Sequence, residues 1–82
     1  MSTFHVGDRV VLTAPVERFD DFIASAGRVG IVVEAGEQYL AVWMARRLHG
    51  AENWNNCIVW TDADYHHGDG PENYLSPRED GK

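Results

Sequence analysis

Gly27-Arg28-Val29-Gly30-Ile31-Val32-Val33-Glu34-Ala35 is the stretch that decides the fold class. Val29, Ile31 and Val33 alternate along it with the period of two that a strand requires, and β-branched residues dominate. Gly27 and Gly30 mark points where the backbone needs a tight turn, a bulge or a close approach. Gly36-Glu37-Gln38 then reads as a turn that returns the chain into a second apolar strand, Tyr39-Leu40-Ala41-Val42-Trp43-Met44. This strand is apolar on both faces, with Leu40, Val42 and Met44 to one side and Tyr39, Ala41 and Trp43 to the other.

Working outward, residues 5–13 read as an earlier strand, with Val6, Val10 and Leu12 on one side and Pro15 as its stop. Residues 16–26 contain neither Gly nor Pro. The 3–4 spacing of Val16, Phe19, Phe22 and Ile23 fits a turn or two of helix, and the competing expectation is a long excursion loop in which Phe19 and Phe22 plug a core. Residues 45–56 form a polar connection, Cys57 to Thr61 a fourth strand and residues 62–72 an acidic loop. Asn73 to Ser76 is a last short strand, stopped by Pro77. The expected organisation is one domain over residues 1–77 with a frayed tail at 78–82.

About five short strands, one long early excursion and turn signals between them suggest a small, partly open β-barrel. Val6-Gly7-Asp8-Arg9-Val10 resembles the first strand of SH3-like barrels. Gly27 to Val33 resembles the KOW-type element that follows in many of them. Tyr39 to Met44 is similar to their third strand, and Glu72 to Pro77 to their short closing strand. Small bacterial and bacteriophage proteins share this pattern. The resemblance implies a fold and a habit of binding, not a reaction. The chain departs from it in the long 45–56 connection and in its acidity, since the KOW modules that touch RNA are usually basic.

The composition excludes several classes. The chain has 82 residues, is 44% hydrophobic and carries a net charge of −6 with one cysteine. A single Cys allows no internal disulfide and no four-thiolate zinc site. The N-terminus shows no secretory pattern, and the longest apolar run, Tyr39 to Ala45, is far short of the roughly 20 residues a membrane span needs. A reduced Cys57 in a cytoplasmic protein is the matching expectation. Acidity is uneven: residues 1–50 carry 5 basic and 6 acidic side chains, residues 51–82 carry 2 basic and 7 acidic. A one-sided acidic surface steers a basic partner.

Three constellations bear on function. Tyr39, Trp43, Trp54 and Trp60 are the candidate aromatic contacts for a protein partner, with Asp62, Asp64 and Tyr65 of the following loop as an acidic rim. This is the first expectation: a non-catalytic, cofactor-free binding module, monomeric or weakly dimeric, such as an accessory or inhibitor protein of a phage or mobile element. Arg28, Arg46 and Arg47 are the candidate phosphate contacts of an alternative, a nucleic-acid-binding KOW-like module; the acidic balance counts against it. Asp62, Asp64, His66, His67 and Asp69 would serve a metal-dependent enzyme, the second alternative. An EF-hand frame from Asp62 fails there, because His67 and Asn73 stand where Gly and Glu are required. No metal site is therefore expected.

Overall fold

The computed structural model describes residues 4–18 and 22–78, and they form a mainly β fold. Among the described residues there are seven strands: β1 (Arg9–Leu12), β2 (Val16–Arg18), β3 (Phe22–Ala24), β4 (Val29–Gly36), β5 (Tyr39–Met44), β6 (Cys57–Trp60) and β7 (Leu75–Pro77). Five of them build one antiparallel sheet in the order β6-β5-β4-β1-β7, and β2 and β3 pair as a separate ribbon. The described strands do not close into a barrel, because β6 and β7 are the two ends of the sheet.

The ribbon corrects the expectation for residues 16–26. Val16–Arg18 pairs with Phe22–Ala24, with Val16 opposite Ala24, so the described part of the segment is extended rather than helical. Val16 and Ala24 are buried in the core while Ile23 is exposed, which is a two-residue period. The helical spacing was a coincidence of a short window. Phe19 lies outside the described residues, and so does the side chain of Phe22.

Among the described residues one α-helix, α1 (Asp62–His66), stands where an acidic loop is expected. Thr61 is its N-cap in a capping box, and the Thr61 amide donates to Asp64 Oδ2 at 2.8 Å. The signal was in the sequence as Thr61-Asp62-Ala63-Asp64, with the shorter Asp in place of Glu. Gly68, at φ +79°, turns the chain out of the helix.

The core lies on one face of the sheet. Val10, Leu12, Val32, Leu40, Val42, Met44, Ile58, Trp60 and Leu75 point into it, joined by Phe4, Val16, Leu48 and Ala51. The alternation in β4 runs opposite to its chemistry: Gly30 and Val32 face the core, whereas Val29 and Ile31 are half-exposed on the other side. Gly30 is there because β5 crosses it closely. A Cβ at Gly30 would sit 2.6 Å from the Trp43 carbonyl oxygen and 2.7 Å from Val42 Cγ1. Val6 lies in a turn and is exposed, so the first strand begins only at Arg9. Pro77 pairs with Val10 within β7 instead of stopping short of it. That is permitted because β7 is an edge strand, where a missing N–H costs no ladder bond.

Candidate functional site

The second face of the sheet is built by register. Across three strands Ile31 stands opposite Trp43, and Trp43 opposite Cys57. Arg9 of β1 continues the row beyond Ile31. One row further, Glu34 stands opposite Ala41 and Ala41 opposite Val59. A β-bulge at Val33 makes this possible: the pairing shifts between Val32 and Glu34, which places Glu34 rather than Val33 opposite Ala41. Val33 is left exposed.

The predicted aromatic contacts divide. Trp43 is 42% exposed, Trp54 47% and Tyr39 37%. Trp60 is 0% exposed and belongs to the core, its ring 6.2 Å from that of Tyr74. The reason is parity along β6: Ile58 and Trp60 share the inward side, Cys57 and Val59 the outward one. Trp60 is therefore not a surface contact. Tyr65 packs against the core and is half-buried. Asp64 is half-buried and engaged in the capping box with Thr61, whereas Asp62 of the expected acidic rim is exposed.

Along β5 the face changes chemistry. At the Tyr39 end partial burial, and then the neighbouring Glu34 carboxylate, hold the Tyr39 phenol above its ordinary range. Trp60 pairs with Leu40, so the chain leaves β6 and enters α1 at this end. Tyr39 and the acidic helix thus share one end of the sheet. Trp43 lies four residues away, about 13 Å at the usual rise of a strand.

The Trp43 end is basic. Arg28 and Arg46 line one open groove together with Gly27, Val29 and Ala45. Arg9 and Arg78 line a second with Val29, Ile31 and Ala45. Arg47 lines a third with Trp43, Ala45 and Glu52. Ala45 is common to all three, so the grooves are adjacent. Arg47 pairs with Glu52 at 3.2 Å, and Arg28 Nη1 donates to the Arg47 carbonyl at 3.5 Å. The Glu52 carboxyl is held below its usual range, chiefly by its own backbone amide and then by the Arg47 guanidinium.

Asn56 holds the connection that carries Arg46 and Arg47. Its Nδ2 donates to the carbonyls of Met44 and Arg46 at 3.0 and 2.9 Å, and its Oδ1 accepts from the Leu48 amide at 2.5 Å. Asn55 and Asn56 both adopt positive φ, 55° and 62°, which Asn tolerates better than most residues. The arginines predicted as phosphate contacts, Arg28, Arg46 and Arg47, are thus brought together with Trp43. Arg9 and Arg78 join them although no local sequence signal marks either. Only the register that sets β1 between β4 and β7 could have found them.

The remaining candidates do not converge. Among the described residues no three His, Cys, Asp or Glu side chains could hold a metal ion. His66 and His67 stack edge to face, 5.7 Å apart, rather than converging with Asp62, Asp64 and Asp69. Burial and then the charge of Glu34 push the Cys57 thiol up. Among the described residues no helix is long and apolar enough to cross a membrane. Compared with protein-family models, curated proteins and solved structures, the chain matches none.

Proposed function

We propose that this chain is a small non-catalytic binding module, an SH3-like domain that holds a protein partner on the outer face of its five-stranded sheet. The fold assignment is supported by the antiparallel strand order and by the early excursion, here the β2–β3 ribbon, between β1 and β4. The observation that carries the binding reading is Trp43. It stands in the strand next to the centre of the sheet, flanked by Ile31 and Cys57, and is 42% exposed. A large ring left half in water on an apolar row is what interface anchors look like, because its burial against a partner releases area without first ordering a flexible chain. Tyr39 extends the apolar face toward the acidic end.

A photo-reactive amino acid placed at position 43 tests this in extract of the native host. The expected result is a polypeptide adduct competed by unlabelled wild-type protein, with none from the same group at Ile23, which is exposed on the ribbon instead. Equal labelling from both positions, or no adduct from position 43, would refute the assignment of this face.

A further inference from the structure

Of the seven Lys and Arg side chains, Arg9, Arg28, Arg46, Arg47 and Arg78 line the three adjoining grooves beside Trp43. Among the described residues one carboxylate, Glu52, lines these grooves, already engaged by Arg47. No acidic residue of 62–72 lines any of the three. The described lining of these grooves is thus predominantly basic, although the chain carries −6 overall. At physiological ionic strength charges more than about 8 Å apart are screened, so a ligand seated here meets the arginines before it meets the distant carboxylates.

We infer that the surface around Ala45 and Trp43 takes a short acidic segment of a protein partner, its carboxylates on Arg28 and Arg46 and its apolar side chains on Val29, Ile31 and Trp43. This rests on the proposed use of the face for protein binding, and it reverses the sequence expectation of a basic partner. The arginine fork suits carboxylate geometry, and Arg28 and Arg47 are tied to each other's neighbourhood by the contact with the Arg47 carbonyl. Arg46 has no ion pair with any described residue and is exposed.

A nucleic acid strand would bring the same negative charge but fits less well. Sequence-tolerant strand binding stacks successive bases on several rings along a continuous basic track. Here Trp43 is the ring among the arginines, and the face turns toward Glu34, Tyr39 and α1 within about 13 Å along β5. The apolar floor of Val29, Ile31 and Ala45 offers a phosphodiester chain nothing, whereas an extended peptide has alternate side chains to place on it.

Fluorescence anisotropy with three probes decides the matter: a labelled twelve-residue peptide mixing Asp and Glu with Leu and Ile, the same peptide with Asn and Gln, and oligo-dT of equal length. The acidic peptide is expected to bind, the amide version not, and oligo-dT more weakly than the peptide. Arg28→Gln with Arg46→Gln should weaken the peptide by about tenfold, the effect of two exposed charge contacts. Arg28→Lys with Arg46→Lys keeps the charge and loses the fork, so it should weaken the peptide less than the double Gln variant, which separates charge from folding. Tighter binding of oligo-dT, equal binding of the amide peptide, no binding, or binding unchanged by the double Gln variant would each overturn the inference. Cross-linking from position 43 in that double Gln variant separates the two proposals. A retained adduct overturns the acidic-segment inference alone, whereas absence of any adduct in the wild-type background removes the assignment of the face.

Discussion

Gly30→Ala puts the packing of the functional face to a direct test. The added Cβ would lie 2.6 Å from the Trp43 carbonyl oxygen, 2.7 Å from Val42 Cγ1 and 3.2 Å from Met44 Sδ. The Met44 thioether can swing aside, but the Trp43 carbonyl is backbone in a paired strand, so β4 and β5 must separate. Overpacking of this kind costs about 1–3 kcal/mol. Replacing Gly also restricts the unfolded chain, which returns about 0.4–1 kcal/mol. Two contacts under 3 Å, one of them backbone, put this site in the upper half of that range, so the net loss is about 1–2.6 kcal/mol, a fall in Tm of roughly 4–21 °C for a domain of this size. Gly36→Ala is the internal control. Its Cβ would have only Tyr39 Cβ at 3.7 Å, an ordinary contact, in a backbone conformation open to any residue. Only the unfolded-state gain remains there, so Gly36→Ala should equal or slightly exceed wild-type stability. Paired thermal melts by circular dichroism, with urea midpoints as a check, read both variants. If Gly30→Ala proves as stable as wild type, the close approach of β5 over Gly30 is wrong, and with it the placement of Trp43.

Other perturbations probe separate parts of the structure. Asn56→Ala removes three hydrogen bonds that pin the 45–56 connection and should cost about 2–3 kcal/mol in urea denaturation at roughly 1 kcal/mol each; a loss within error would mean that the segment is not held this way. Acrylamide should quench Trp43 and Trp54 readily and Trp60 hardly at all, so Trp43→Phe with Trp54→Phe should leave a blue-shifted, protected emission. Accessible emission from that double variant would contradict the burial of Trp60. The raised Cys57 thiol has a smaller thiolate fraction at neutral pH than a free cysteine, so alkylation should be slower than for a free thiol and accelerate only on the alkaline side. Glu34→Gln should quicken it by removing a repelling charge, and an unchanged rate would place Glu34 away from the thiol.

Strand content was legible where residues alternate over several positions, as in β4 and β5, because period-two patterning is a local property. It failed at 16–26, where three-residue strands offer too short a window to separate a period of 2 from one of 3.6. It failed at α1 because five residues rich in Asp and His carry no apolar stripe, and only the Thr61 capping box announced the helix. For the candidate site, Trp43 was nameable from its strand, and Arg28, Arg46 and Arg47 from their type. Trp60 was assigned to the surface because nothing in Cys57 to Thr61 says which parity faces the core.

The sequence by itself determined that this is a strand-rich, acidic, single-thiol chain with too many apolar residues in β5 to bury on one side. Tertiary structure alone decided which side stays open and what surrounds it. Arg9 and Arg78 lie at opposite ends of the chain, yet the antiparallel pairing of β1 with β7 and of β1 with β4 sets them beside Arg28, Arg46 and Arg47. Net charge is a sum over the chain, whereas a partner meets a local field. That field depends on long-range register, which no local run of residues contains.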